Sequence, residues 1–110
     1  MNEPTLEELL ENVLRDAGWI MAGGSAQFRE GALSEMLSSL RLVRQHAGSE
    51  RVLNAVKVLS EKATQVVATK SNDTDSNMTL RRVVEEFEQG MRGYLATAEE
   101  ERDRWAAGEA

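Results

Sequence analysis

Cysteine is absent from this 110-residue chain, and histidine occurs only once, at position 46. Without a thiol the chain can form neither a disulfide nor a thiolate metal site. A lone histidine also lacks the second ligand or neighbouring nucleophile that metal binding and acid–base catalysis usually require. These absences weigh against a disulfide scaffold, a zinc site and a histidine-dependent enzyme.

Long apolar runs are also absent, since no stretch approaches the roughly 20 apolar residues that a transmembrane helix needs. The first residues, Met-Asn-Glu-Pro-Thr, are neither basic nor followed by an apolar run, so they do not resemble a signal peptide. The formal charge of -6 opposes a general affinity for nucleic acid or anionic lipid. We therefore expect a cytoplasmic protein that does not bind membranes.

Aromatic residues make up only 5% of the chain. A chain of this length is expected to form one domain, covering 1–110, and it has few large side chains with which to fill a core. Association with another copy is a natural way for so small a domain to bury more apolar surface. The composition therefore favours a thin core and self-association.

Apolar residues that recur at every third or fourth position predict four helices. Their expected bounds are 5–22, 26–47, 50–69 and 78–106, with a polar loop at 71–77. Thr5, Ser25 and Ser49 precede the first three helices and are expected to act as N-caps. The sequence thus predicts an all-α fold, a small four-helix bundle with a longer C-terminal helix.

The second helix has an expected core face that begins with Phe28 and continues through Ala32 and Leu40. Gly31 interrupts this helix at a cost of about 1 kcal/mol relative to alanine. Close approach of a neighbouring helix would explain a glycine at that position. We therefore predict that Phe28 is buried and that Gly31 lies at a helix contact.

The last helix carries an apolar stripe whose members are separated by alternating gaps of four and three residues. The stripe comprises Leu80, Val84, Phe87, Met91, Tyr94 and Ala98, and Trp105 extends it. Opposite charges four residues apart, such as Arg82 with Glu86 and Glu88 with Arg92, are typical of a solvated face. This helix is therefore expected to be amphipathic along its length.

Trp19 does not fall on the apolar face of the first helix, which leaves two interpretations. Either the helix breaks at Gly18 and Trp19 turns into the core, or Trp19 lies on the outer face. Tryptophan is among the residues that most often anchor interfaces, so the second interpretation predicts contact with another chain. The candidate protein-interface residues are Trp19, Met91, Tyr94, Leu95 and Trp105.

Reactive constellations are difficult to assemble from the remaining residues. A di-metal carboxylate bundle needs a Glu-x-x-His pair, but Val43 stands three residues before His46. No glycine-rich phosphate loop occurs. His46 is expected in the last helical turn before Gly48, where the helix dipole favours an imidazolium ion. We therefore expect no enzymatic activity, cofactor, metal or small-molecule substrate.

Positive charge is concentrated in the middle of the chain, where residues 29–70 contain seven basic and four acidic side chains. The candidate contacts with a nucleic-acid phosphate backbone are Arg41, Arg44, Arg51 and Lys57. No aromatic residue is interleaved among them, so base stacking is not expected.

The leading functional prediction is a non-catalytic cytoplasmic protein–protein interaction or assembly module. It is expected to associate with itself and to act as an adaptor or regulator. One alternative is a small helical subunit of a nucleoprotein complex that contacts RNA or DNA through the basic central hairpin. A second alternative is a small acidic inhibitor or immunity-type protein that covers a basic partner.

Overall fold

The computed structural model describes residues 4–70 and 74–106, with side chains described as far as residue 97. It contains four helices and, in the described ranges, no strand. The helices are α1 (Leu6–Ala22), α2 (Ala26–His46), α3 (Glu50–Ala68) and α4 (Thr74–Ala106). Consecutive helices pack together and α1 also packs on α4, which closes the bundle. The predicted fold class is confirmed. No described helix is both long enough and apolar enough to cross a membrane.

The starts of the first three helices follow the predicted caps. The hydroxyls of Thr5, Ser25 and Ser49 accept hydrogen bonds from the backbone N–H three residues later, at 3.1, 3.1 and 3.4 Å. Between α1 and α2 the chain turns at Gly23 and Gly24, whose φ angles are 88° and 103°. Glycine reaches such positive φ without the steric cost of a Cβ atom. Short capped turns therefore place consecutive helices antiparallel.

The fourth helix begins at Thr74, four residues earlier than predicted, so the expected polar loop is wrong over its second half. Two polar side chains near this helix start donate hydrogen bonds to backbone carbonyls. The Thr79 hydroxyl donates to the Asp75 carbonyl at 2.9 Å, and Asn77 Nδ2 donates to the Met21 carbonyl at 3.3 Å. The second bond ties the start of α4 to the end of α1, a tertiary contact that local polarity does not reveal. The rest of the predicted loop, 71–73, lies outside the described residues.

The core is formed by one apolar stripe from each helix. In α4 the predicted residues Leu80, Val84, Phe87 and Met91 are all buried. Phe28, by contrast, is 49% exposed, so its predicted place in the core is wrong. The neighbouring Arg29 is buried instead, and its Nε donates to the Ile20 carbonyl at 3.1 Å. Carbonyls in the last turn of a helix lack intrahelical partners, so Arg29 stabilises the end of α1.

Gly31 is exposed, and a Cβ atom added there would meet no neighbouring atom within 4 Å. The prediction that Gly31 allows a close helix contact is therefore wrong. The residue lies in the solvated middle of a helix, where glycine costs conformational entropy without a packing benefit.

We predict that Gly31→Ala raises the free energy of unfolding by about 1 kcal/mol, because alanine restricts the unfolded chain and favours the helix. Urea denaturation followed by circular dichroism measures the change. The matched control is Gly24→Ala, which should lower stability because the φ of Gly24 is 103°. A destabilised Gly31→Ala variant would contradict the absence of steric contact.

Candidate functional site

An exposed aromatic pair lies where α1 ends and α2 begins. Trp19 is 42% and Phe28 49% exposed, and their ring centroids are 5.6 Å apart with a tilt of 45°. This geometry falls within the range that aromatic pairs prefer. We call these two residues the aromatic corner. Because α1 continues unbroken through Gly18 to Ala22, the alternative in which a break turns Trp19 into the core is wrong.

Arg15 links the aromatic corner to the body of α2. Its guanidinium carbon lies 5.6 Å from the centroid of a Trp19 ring, within cation–π range. Its Nη2 atom lies 3.3 Å from Glu35 Oε1 on α2. Contacts of this kind at exposed positions contribute about 1 kcal/mol or less each. Together they orient the Trp19 ring but contribute little to the stability of the fold.

Asp16 is the one acidic side chain in the described core. It is fully buried, and neither carboxylate oxygen has a hydrogen-bond partner among the described residues. The nearest cation is Arg15, whose Nε lies 3.9 Å from Asp16 Oδ1. Burial first, and then the proximity of the Glu35 carboxylate, raise the pKa of Asp16 from 3.8 to about 6, against the opposing effect of Arg15. Near neutral pH, therefore, an incompletely compensated negative charge lies between α1 and α2.

The burial of Asp16 was not predicted, although the sequence contains a signal for it. Asp16 lies three residues after Val13 and four before Ile20, both of which belong to the apolar stripe of α1. An acidic residue at such a register position is buried by the helix period itself. The neighbouring carboxylate of Glu35 could not be identified in this way, because its proximity to Asp16 depends on how α1 packs against α2.

Asp16 is closed off from solvent and belongs to no cluster of metal-ligating side chains among the described residues. In the described part of the chain no group of three histidine, cysteine, aspartate or glutamate side chains is placed to hold a metal ion. His46 is exposed in the last turn of α2, eleven residues beyond Glu35 and thus about 16 Å further along the helix. Asp16 itself is inaccessible to a substrate because its exposure is 0%.

The four predicted interface residues whose side chains are described, Trp19, Met91, Tyr94 and Leu95, do not form one surface. Met91 is fully buried in the core, so it is unavailable to a partner of the folded monomer, and its assignment to a surface is corrected. Tyr94 is half-buried, and its hydroxyl accepts a hydrogen bond from the Gly48 N–H at 3.3 Å. Gly48 belongs to the turn between α2 and α3, at the opposite end of the bundle from Trp19.

Leu95 is half-buried and lines a groove between α1 and α4 together with Glu7, Leu10, Glu11, Arg92 and Ala96. The side chain of Trp105 lies outside those that the structure describes. Of the four predicted interface residues with described side chains, Trp19 alone is a substantially exposed aromatic residue. The sequence pattern could not separate these positions, because one stripe of α4 serves both the core and its edge.

The predicted phosphate-contact residues divide between two faces. Arg41, Arg44 and Lys57 are exposed and line adjoining grooves between α2 and α3. Arg51 instead faces α4, where its side chain lies 3.9 Å from the position of a Cβ atom added at Gly90. Three of the four cations are therefore brought together and the fourth is not.

A further groove, between α3 and α4, was not predicted from the sequence. It has a volume of about 280 Å³ and is lined by Arg51, Asn54, Ala55, Val58, Arg82, Val83 and Glu86. Val58 is 42% exposed at this site. We call it the α3–α4 groove. The predicted ion pair between Arg82 and Glu86 is not formed in the structure, whereas Glu88 and Arg92 are paired at 2.7 Å.

Comparisons of the chain with protein-family models, with curated proteins and with solved structures found no match. Function is therefore inferred from the chemistry and geometry of the chain itself. The exposed features of the described residues include the aromatic corner, the groove between α1 and α4 beside Leu95, the basic α2–α3 grooves and the α3–α4 groove.

We predict that Asp16→Asn is more stable than the wild type at neutral pH and that the difference shrinks as the pH falls. The pKa of Asp16 is raised from 3.8 to about 6 in the folded state, so that state binds the proton more tightly. The stability associated with this group is therefore present below about pH 4 and is lost as the pH rises through about 6. The corresponding decrease in the free energy of unfolding is about 3 kcal/mol.

Urea denaturation between about pH 4 and pH 7 measures this difference. The control variant is Glu61→Gln, which removes an exposed carboxylate of α3 and should show no such trend. An Asp16→Asn curve parallel to that of the wild type over this range would show that Asp16 has an ordinary pKa.

Proposed function

We propose that this protein is a non-catalytic, cytoplasmic protein-binding module that associates with itself through one end of the bundle. The observation that carries the proposal is the exposed contact between Trp19 and Phe28. Large aromatic side chains bury much area at low conformational cost and dominate many interfaces. In a chain with so few aromatic residues, two of them in contact at the surface mark a binding site.

The aromatic corner is organised before any partner binds. The Ser25 hydroxyl caps α2 at the Phe28 N–H, and the Arg29 guanidinium caps the end of α1. Arg15 lies against the Trp19 ring. Side chains that are already ordered lose less entropy on association, so more of their burial contributes to affinity.

The two rings alone are too small for a stable interface. Half-exposed aromatic side chains offer about 100 Å² each, whereas a typical interface buries about 800 Å² per partner. Met78, which is 60% exposed, lies in the first turns of α4 at the same end of the bundle, because Asn77 bonds to Met21. A symmetric dimer that uses this end would bring the same residues of both copies together.

We predict that the wild type dimerises with increasing concentration and that Trp19→Lys remains monomeric, because a lysine charge in the interface would be desolvated without a partner. Size-exclusion chromatography with light scattering measures the mass. Val58→Lys is the matched control, since Val58 is also 42% exposed but lies on α3, and this variant should still dimerise. A wild type that stays monomeric at high micromolar concentration would refute self-association.

A second candidate function is contact with a nucleic-acid backbone, and it is favoured by the clustering of Arg41, Arg44 and Lys57. Within the described part of the chain none of these three cations forms an ion pair. Neighbouring cations of this kind can follow a phosphate backbone, with an affinity that falls steeply as salt is added.

For that candidate, we predict that Arg41→Glu combined with Arg44→Glu abolishes binding to RNA or DNA at low salt, because both changes replace a phosphate contact with repulsion. Fluorescence anisotropy of labelled oligonucleotides measures binding. Arg51→Glu is the control, because Arg51 lies on the face between α3 and α4 and should reduce binding only slightly. Equal losses in both variants would indicate a general charge effect rather than a site on α2.

A further inference from the structure

We propose that the α3–α4 groove is the docking site for an acidic amphipathic helix of a second protein. The inference extends the proposed protein-binding function, on which it rests, by assigning a separate surface and the chemistry of its partner. With the aromatic corner joining copies of the chain, such a groove would make the protein an adaptor.

The floor of the groove is apolar. Ala55 and Val58 from α3 and Val83 from α4 line it, and Val58 remains 42% exposed. A groove between two antiparallel helices is open along its length, so a small molecule would leave much of its surface in water. Small ligands are usually enclosed over most of their surface. A helix laid along the groove instead inserts apolar side chains from successive turns.

Two cations flank this apolar floor at opposite ends. Arg51 is level with Gly90, as its contact with the Cβ position of that residue shows. Arg82 precedes Gly90 by eight residues, which places it about 12 Å further along α4. Carboxylates seven residues apart on a bound helix are separated by about 10.5 Å along its axis. The spacing of the arginines therefore matches two acidic residues two turns apart.

Both arginines are available to a partner. Neither Arg51 nor Arg82 forms an ion pair or hydrogen bond with a described residue. Glu86 also lines the groove, so the groove carries a net charge of +1 from its two arginines and one glutamate. An acidic partner helix is thus attracted and a basic one is repelled. A nucleic-acid backbone would satisfy the arginines but would leave the valines unburied.

The test uses two designed helical peptides of about 18 residues, each with leucines on one face. One peptide carries glutamates seven residues apart beside the leucines, and the other carries lysines at the same positions. We expect only the acidic peptide to bind, with NMR amide shifts centred on Ala55, Val58 and Val83. In the double variant Arg51→Glu with Arg82→Glu, we expect its affinity to fall by about tenfold or more and the lysine peptide to bind instead.

The control variant is Arg41→Glu with Arg44→Glu, which changes as much charge on α2 and should leave peptide binding nearly unchanged. Equal binding of both peptides, no binding of either, or shifts centred away from the groove would overturn the proposal. A change in the self-association of the Arg51→Glu, Arg82→Glu variant would show that the groove binds a second copy of the chain. That result would also overturn the proposal of a helix from a second protein.

The Trp19→Lys variant separates this inference from the proposed self-association. Trp19 lies at the end of the bundle, so its replacement should abolish dimerisation and leave binding of the acidic peptide intact. Failure of the peptide to bind a dimerising wild type would refute the groove alone. Peptide binding by a wild type that never dimerises would refute self-association and leave the groove as a binding site.

Discussion

Burial of one apolar stripe from each of four helices is the interaction on which the rest of this structure depends. The core is made almost entirely of aliphatic side chains, and Phe87 is its one aromatic residue in the described part of the chain. Each stripe is narrow, so each helix has a defined inner face and leaves its remaining positions in solvent. That constraint decides which residues are available for function.

Asp16 violates this constraint, because it occupies an inward position without a hydrogen-bond partner in the described residues. A buried carboxylate near Glu35 weakens the contact between α1 and α2 when it ionises. Natural proteins keep such unfavourable groups most often where function requires them. Asp16 also lies next to Arg15, which orders the Trp19 ring. The buried carboxylate and the aromatic corner therefore belong to one cluster of side chains.

The exposed features are separated by the geometry of the bundle. The aromatic corner occupies one end, where α1 meets α2, whereas the basic α2–α3 grooves and the α3–α4 groove lie along the sides. A small domain with distinct surfaces can hold two partners without competition between them. The proposed adaptor role rests on this separation, and affinity at each site is expected to depend on a few anchor residues rather than on total area.

The sequence by itself determined the helices, their caps and most of the core. Helix starts depend on bonds between near neighbours, such as Ser25 with Phe28, and an apolar stripe repeats with the period of the helix. The sequence also indicated that Trp19 does not belong to the core face. These properties depend on residues that are close in sequence, so they can be predicted from the sequence alone.

Only the tertiary structure decided which residues meet. It turned Phe28 outward beside Trp19, buried Arg29 beneath the end of α1 and began α4 early through the bond from Asn77 to Met21. It also separated Arg51 from the other cations. Each of these outcomes depends on how one helix is rotated about its axis and shifted along that axis relative to its neighbour. The stripe pattern determines which side of a helix faces the core, but not which residues of a neighbouring helix it contacts. A candidate site consists of residues from different helices, so its composition follows from that packing.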